Sequence, residues 1–457
     1  MKSFWLLTIG VFLALLLPVL VQEGMFSDGV IYAAISNNLA QGLGSLWEPI
    51  YANPNTPFYD HPPLVMGIES VFFRLFGDSF FTERLYSFCT ALLTAFGIAL
   101  IWREFKAITT SWLAILLWIL VPVSFWSYSN NMLENTLSIF TLFATFFIIK
   151  SFKKHFFLNL ILAALCLIAA FLSKGVVGLF PLVIPFLYGL IIEKSFLKKS
   201  IISSLLLFFF TGASLTLLFY FLPEAKENIT RYFDQQLLAA LENKREITTN
   251  NRLFILWMLF TNLLPIIGIA LIVQWRFAKS KFKINKTSIF FFLIGISASL
   301  PIIISLKQRE FYLVPSIPYF ALAFAFFIYP LISDKLNQSK KVKTWLSISG
   351  VILISGTFFS SIILWGNFSR DEKLLKDIYI ISENIPKGTS FKTHPKNHRA
   401  FDLIAYLNRV NQYYFNKDKN SIYYLFQDKD EIDTYVYENY TEVEMNLNQL
   451  KVFKRNL

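Results

Sequence analysis

Of the 457 residues in the chain, 55% are hydrophobic and 18% aromatic. Only 16% are charged, against about 25% in a soluble domain, which excludes an ordinary soluble protein and indicates a protein that crosses a membrane several times. The net charge of +12 indicates basic loops at a membrane surface rather than binding of nucleic acid, because lysine and arginine accumulate in cytoplasmic loops.

Eleven apolar runs are long enough to cross a bilayer as helices, since about 20 apolar residues span its hydrocarbon core. They are residues 4–21, 80–102, 111–129, 132–149, 156–172, 176–192, 201–222, 252–275, 287–306, 311–332 and 344–365. The first run follows a single lysine and has no small-residue cleavage site before Asp28. We therefore expect an uncleaved first span rather than a removed signal peptide.

The first connection, residues 22–79, has structure of its own. Ser27 and Asp28 are typical of a helix start, and apolar residues at helical spacing follow until glycines end the pattern. A second pattern begins at Pro62-Pro63 and runs over residues 64–76 to a further glycine. The loop is therefore predicted to hold two short amphipathic helices that lie in the membrane interface.

Lysine and arginine collect in alternate connections, which sets the predicted orientation. The connection after the eighth run, for example, contains Lys279, Lys281 and Lys283, whereas the loop 22–79 contains a single basic residue. Such clusters favour the cytoplasmic side, so the N-terminus is predicted inside and the first loop outside the cell membrane.

The tail from Gly366 loses the membrane-like composition and alternates between helical and strand-like patterns. With an odd number of spans, this tail lies on the same outer side as the first loop. We predict an all-α polytopic membrane module over residues 1–365 and a small soluble extracytoplasmic (periplasmic) α/β domain over residues 366–457, which is large enough to fold alone.

Polar side chains gather at the outer ends of the predicted spans, on one side of the membrane. The candidate residues are Asp28, Asp60, His61, Arg84, Glu134, Lys174, Lys307, Arg309 and Tyr312. Charged groups are costly beside a bilayer unless they are paired or functional. This one-sided pattern indicates an active site at the outer rim.

The basic members of this set, Lys174, Lys307 and Arg309, are suited to bind a lipid phosphate. The carboxylates can act as a general base. Structural roles stay open for these residues. Lys307 and Arg309 could extend to lipid headgroups, and Arg84 could form a salt bridge with Asp60 or Asp78.

Asp60 and His61 are adjacent, and a carboxylate and an imidazole are acceptable ligands for a divalent metal. Two ligands do not define a metal site, and a histidine here could instead cap the second helix of the loop. No Walker-type loop or nucleotide-binding glycine pattern is present. An activated substrate is therefore expected to arrive through the bilayer.

These motifs, taken in order, resemble the GT-C glycosyltransferases, in particular the dolichyl-phosphate-mannose–protein mannosyltransferases and the bacterial lipid A aminoarabinose transferases. The similar segments are residues 28–32, 59–64, 76–79, 83–84, 131–134, 172–175 and 307–318. They cover the membrane region and leave the tail uncovered. The sequence departs from these branches at two points. His61 stands where the aminoarabinose branch has a lysine, which bears on the identity of the donor or the acceptor. Gly29 follows Asp28 where the protein mannosyltransferases have adjacent acids, which argues against a protein O-mannosyltransferase.

The resemblance implies a bacterial inner-membrane enzyme that transfers a sugar with inversion from a polyprenyl-phosphate-linked donor to an envelope glycolipid or protein. It implies that Asp28 is the catalytic base. In the corresponding mechanism, the donor phosphate would be bound by Lys174, Lys307, Arg309 and Tyr312. The acceptor-binding or orienting residues would be Asp60, His61, Arg84 and Glu134, with Asp60 and His61 also the candidate ligands of a divalent metal.

Two other classes of protein compete with this interpretation. A transporter or lipid flippase would place its polar groups near the middle of the membrane, often on broken helices, and here they lie at one rim. A non-catalytic membrane subunit would have no defined cavity under the first loop.

Overall fold

The computed structural model describes residues 2–242, 244, 246–277, 285–336, 340–416, 421–427 and 430–456. The basic cluster Lys279, Lys281 and Lys283 lies outside these residues. Two compact units are distinguished by their internal contacts. The membrane unit comprises Met1–Leu20, Asp60–Pro62 and Ser87–Trp365, and the loop–tail unit comprises Val21–Tyr59, Pro63–Tyr86 and Gly366–Leu457.

The α-helices are α1 (Lys2–Leu20), α2 (Ser27–Ala40), α3 (Leu64–Phe76), α4 (Phe80–Arg103), α5 (Trp112–Ile119), α6 (Pro122–Ser129), α7 (Leu133–Ser151), α8 (Phe156–Lys174), α9 (Ile184–Leu187), α10 (Leu197–Phe221), α11 (Pro223–Tyr232), α12 (Ala239–Leu241), α13 (Phe254–Phe277), α14 (Lys286–Ser299), α15 (Ile317–Leu336), α16 (Lys340–Leu364), α17 (Glu372–Asn384), α18 (Phe401–Asn411) and α19 (Thr434–Asn439). The strands are β1 (Ile50–Tyr51), β2 (Asn53–Pro57), β3 (Ser390–Thr393), β4 (Tyr414–Phe415), β5 (Tyr423–Gln427), β6 (Tyr440–Glu442) and β7 (Leu450–Arg455).

In the described part of the chain, nine helices are long and apolar enough to span a membrane, or ten if the bent pair Ile108–Ile119 and Pro122–Ser129 forms one broken span. The prediction of a polytopic helical protein is confirmed, with a lower count of separate helices than eleven. Relative to eleven, one span is lost because Phe156–Ile192 is a continuous helical run of 37 residues that contains two of the predicted spans, and a second is lost if the bent pair is not counted as a span. The α-helical geometry of Phe156–Ile192 breaks at Gly175, where φ is 72°.

Helices α7 and α15 form the centre of the membrane unit, since about four fifths of the apolar window of each is buried inside the protein. Helices α10 and α16 expose most of their apolar side chains, as helices that face lipid do. Helix α16 packs along α1 with Gly10 opposite Gly350, where a Cβ atom on Gly350 would lie 2.6 Å from the backbone of Leu6. Small residues permit such close approach between membrane helices.

The loop–tail unit contains a five-stranded sheet in the order β4-β3-β5-β7-β6. Strand β3 is parallel to both β4 and β5, and β7 is antiparallel to β5 and β6. The predicted small α/β domain is therefore present. Its helices α17 and α18 share one apolar core with the first loop, in which Met25, Val30 and Phe73 lie among buried residues of the tail.

The two helices expected in the first loop are α2 and α3. Helix α2 is buried along most of its length, from Gly29 to Leu39, because α3 and α18 both pack against it. Helix α3 ends at Phe76, and the next residue, Gly77, has a φ of 84° that suits a residue without a side chain. The loop is thus an ordered part of a folded unit.

Candidate active site

Lys174 and Glu134 form a buried ion pair in the membrane unit. Lys174 is the last residue of α8, and Glu134 lies in the first turn of α7, which packs along α8. Their side chains are 12% and 1% exposed. Glu134 Oε2 has no hydrogen-bond partner in the part of the chain that the structure describes, so the ammonium group of Lys174 is what holds this carboxylate in place.

An aromatic wall lies beside this pair. Lys174 Nζ is 4.8 Å from the ring centroid of Tyr312 and 5.8 Å from that of Phe311. Phe311 stacks on Trp126 with 5.9 Å between the ring centroids. These rings attract the cation through their electron-rich faces, and together with Glu134 they fix where the ammonium group can lie.

Lys307 and Arg309 share one carboxylate, Glu246. Lys307 Nζ lies 3.6 Å from one of its oxygens and Arg309 Nη2 lies 3.3 Å from the other. All three groups are partly exposed, so each pair contributes little to stability. The sequence analysis did not identify Glu246 as a site residue, although it lies in the polar segment between two predicted spans.

The intervening residue, Gln308, is buried and holds the segment in place. Its Nε2 donates to the carbonyl of Arg252 at 2.7 Å, and its Oε1 accepts from the backbone N–H of Ile255 at 2.8 Å. Its own backbone N–H donates to Thr248 Oγ1 at 2.8 Å. Two basic residues therefore project from a fixed stretch of chain that leads, within one turn, to Tyr312.

Asp60 is connected to Lys174 through α11 and its helical extension. The Tyr232 hydroxyl donates to the carbonyl oxygen of Lys174 at 3.2 Å. Four residues later, Gln236 Nε2 donates to Asp60 Oδ1 at 2.7 Å. Residues four apart lie on one side of a helix about one turn from each other. Asp60 of the first loop and the end of α8 are thus both bound by α11 and its helical extension.

A metal ligand set is not complete in the described residues. Among them, no three histidine, cysteine or acidic residues lie close enough together to hold a metal ion. Within that part of the chain, Asp60 and His61 do not belong to a group of three such residues.

The remaining two candidates, Asp28 and Arg84, belong to the loop–tail unit. Asp28 lies in the first turn of α2, where the aligned peptide dipoles favour a negative charge. Arg84 is buried, and its Nη2 donates to the carbonyl of Gly24 at 2.5 Å. Asp78, considered above as a partner of Arg84, pairs with Arg409 of the tail at 2.7 Å.

Arg409 is the main charged residue that the sequence analysis missed. It is buried and pairs through Nε with Glu83 Oε2 at 2.5 Å as well as with Asp78. Burial by itself lowers the pKa of Arg409, but the two carboxylates outweigh that effect and raise the pKa above its ordinary value. Burial also raises the pKa of Glu23, against the opposing effects of a hydrogen bond from Tyr379 and the charge of Arg84.

Comparison with known proteins adds the following findings. Residues 60–219 match the family model described as dolichyl-phosphate-mannose-protein mannosyltransferase. A search of the curated proteins gives no match. The fold is similar to that of ArnT from Cupriavidus metallidurans bound to undecaprenyl phosphate, with a TM-score of 0.70 and 15% identity over 98% of this chain and 97% of that chain.

The apo state of the same ArnT gives a TM-score of 0.67 at 14% identity, over 97% of this chain and 95% of that chain. An oligosaccharyltransferase from Archaeoglobus fulgidus in the apo form gives 0.56 at 12% identity, over 90% of this chain and 64% of that chain. The likeness to ArnT includes the tail, which the similar sequence motifs did not cover.

Proposed function

Because the chain has the GT-C fold of membrane glycosyltransferases, we propose that it is an inverting glycosyltransferase with a polyprenyl-phosphate-linked sugar as its donor. The acceptor is an envelope glycolipid or protein, and transfer takes place on the extracytoplasmic face of the bacterial inner membrane. The observation that carries the proposal is the fixed lysine at the end of α8, held between a buried carboxylate and an aromatic wall.

The donor side of the reaction uses the basic residues of this cluster. The donor is a phosphodiester with one negative charge, and its phosphate gains a second charge as the sugar leaves. Lys174, Lys307, Arg309 and Tyr312 bind that phosphate, and the positive charges of the three basic residues stabilise the leaving group as its charge builds. Because an ammonium group has three N–H donors, Lys174 can contact a phosphate oxygen while Glu134 still holds it in position.

The acceptor side uses Asp28 as the general base. Its carboxylate takes the proton of an acceptor hydroxyl while the hydroxyl oxygen forms a bond to the anomeric carbon. The bond between that carbon and the phosphate oxygen breaks, and the electron pair leaves with the polyprenyl phosphate. A single displacement of this kind inverts the anomeric centre. Asp60 and His61 orient the acceptor. Glu134 and Arg84 orient neighbouring groups, since Glu134 holds Lys174 and Arg84 holds the backbone before α2.

The proposal is tested by mass spectrometry of envelope glycolipids and glycoproteins from cells with and without the gene. A sugar modification that is lost with the gene identifies the product, and the corresponding polyprenyl-phosphate sugar is then supplied to the purified protein in lipid. Transfer of that sugar with release of polyprenyl phosphate is expected. If no envelope sugar changes and the purified protein releases no polyprenyl phosphate, the proposal is wrong.

The base is tested with Asp28→Asn. We expect transfer to fall about 10²- to 10⁴-fold, the usual contribution of a general base, with donor binding retained. Asp402→Asn is the matched control, because Asp402 is also an aspartate in the first turn of a helix of the same unit. Wild-type transfer by Asp28→Asn would contradict the assignment.

A further inference from the structure

We propose that the C-terminal domain acts on the reaction by positioning α2, and that Tyr406 and Arg409 of α18 are the positioning residues. This inference rests on the proposed role of Asp28, which α2 carries in its first turn. Helices α2 and α18 pack along each other within the loop–tail unit.

The contact at the start of α2 is made by Tyr406. Its hydroxyl oxygen accepts a hydrogen bond from the backbone N–H of Met25 at 3.0 Å and lies 2.9 Å from the carbonyl oxygen of the same residue. The hydroxyl is also 3.1 Å from the carboxylate of Asp371. Tyr406 is 3% exposed, so these bonds do not compete with water. They hold the backbone three residues before Asp28.

The far end of α2 is held by the last turn of α18 and the residue after it. Asn38 Nδ2 donates to Asn408 Oδ1 at 3.0 Å. Gln412 Nε2 donates to Asn38 Oδ1 at 3.2 Å and to Gln41 Oε1 at 2.9 Å. These amide contacts fix the position of α2 along α18, because each one requires a particular pair of residues to face each other.

Arg409 adds an indirect contact through Asp78. Its Nη1 pairs with Asp78 Oδ1, and the other oxygen of that carboxylate accepts from Asn37 Nδ2 at 3.0 Å and from Gln41 Nε2 at 3.2 Å. The guanidinium carbon also lies 4.9 Å from the ring centroid of Phe73 on α3. A single buried cation thus ties α18 to α2, α3 and the start of α4.

These contacts hold a 14-residue helix at both ends. A catalytic group needs its productive geometry to within about 0.5 Å, and a misplacement of about 1 Å can cost 10²-fold in rate. Since the first loop shares its core with the tail, the tail sets where the first turn of α2 lies.

The test compares Tyr406→Phe with Tyr413→Phe. Tyr413 is 2% exposed, and its hydroxyl donates to the carbonyl of Ile385 at 2.7 Å and accepts from Asn411 Nδ2 at 2.7 Å. Each substitution removes one buried hydroxyl from the same unit, but the partners of Tyr413 all lie in the tail. If both hydroxyls served only to stabilise the domain, the two substitutions would have similar effects on the transfer reaction.

For Tyr406→Phe we expect kcat to fall about 10-fold while KM for donor and acceptor changes less than about 2-fold, as for loss of a group that aligns the reacting atoms. Tyr413→Phe is expected to keep kcat within about 2-fold, because domain stability does not enter kcat below the unfolding temperature. Equal kcat values for the two variants would overturn the proposal.

Hydrogen exchange provides a readout that does not depend on activity. The backbone amides of α2 are expected to exchange about 5- to 10-fold faster in Tyr406→Phe than in wild type, and at the wild-type rate in Tyr413→Phe. Arg409→Lys, which keeps the charge and loses the two-fold pairing, is expected to accelerate the same amides. Unchanged exchange in α2 would overturn the positioning role, whereas absence of any transfer by wild type would instead refute the proposed function.

Discussion

Lys174→Met separates the structural from the chemical role of the buried pair. Methionine has a similar length and no charge, so the substitution leaves the Glu134 carboxylate at 1% exposure without its cationic partner. Removal of one member of a buried pair costs about 3–5 kcal/mol, since an uncompensated charge stays behind. The Tm of this variant in detergent is therefore expected to be lower than that of wild type.

The double variant Lys174→Met/Glu134→Gln restores charge balance. It is expected to recover about 2 kcal/mol or more of the lost stability, because a buried neutral amide costs less than a buried carboxylate. Its transfer activity should stay about 10²- to 10³-fold below wild type, as after removal of one group that stabilises a leaving charge. Tm in detergent and release of polyprenyl phosphate are the two measurements.

Lys199→Met is the control for this pair of variants, because Lys199 Nζ lies over the rings of Phe152, Phe156 and Phe196 elsewhere in the membrane unit. It should leave the transfer rate unchanged. Recovery of activity together with stability in the double variant would refute the reasoning, since Lys174 would then serve only to neutralise Glu134.

Three further predictions concern other parts of the two units. Gly175→Ala places a Cβ 2.3 Å from the Tyr232 hydroxyl at a residue with φ of 72°, so we expect a lower Tm and slower transfer. The control is Gly212→Ala, because among the described residues the added carbon meets nothing within 4 Å beyond its chain neighbours and the backbone of its own helix; this variant should keep the transfer rate and keep or slightly raise Tm. Gln236→Leu removes the hydrogen bond to Asp60 of the first loop. It is expected to raise KM for the acceptor about 10-fold with little change in KM for the donor. An unchanged acceptor KM would contradict a role of Asp60 in acceptor binding. Burial raises the pKa of Glu23 above 4.5, so the protonated side chain stabilises the fold below pH 4.5, and this contribution is lost as the pH rises through the raised pKa. Glu23→Gln should therefore raise Tm relative to wild type at pH 7 but not below pH 4.5. An equal Tm difference at both pH values would exclude this linkage.

The positions of the helices could largely be predicted, because apolar runs and their flanking prolines and glycines act locally. The first-loop helices follow from Ser27-Asp28 and Pro62-Pro63, and both were found. The run 156–192 was harder to divide, since Gly175 breaks the helix by its backbone angle and not by a polar interruption.

Pairing across distant segments could not be predicted. Lys174 and Glu134 were both selected as site residues, but nothing in their 40-residue separation indicates that they touch. Glu246 and Arg409 looked like ordinary charged residues of a loop and a tail helix. The hydrogen bond between Met25 and Tyr406 joins residues 381 positions apart, and a contact of that kind leaves no periodic trace in the sequence.

The shared core of the loop–tail unit has a consequence for biosynthesis. Residues 21–86 leave the ribosome early, whereas the residues that complete their core begin at Gly366. At about 5–20 residues per second, the intervening stretch of roughly 280 residues takes about 15–60 s to translate. Throughout that interval Val30 and Phe73 lack the tail residues that bury them. Ribosomes that stop before the last 90 or so codons would thus release a chain whose first loop cannot complete its core, and such incompletely folded chains are natural substrates for quality-control proteases.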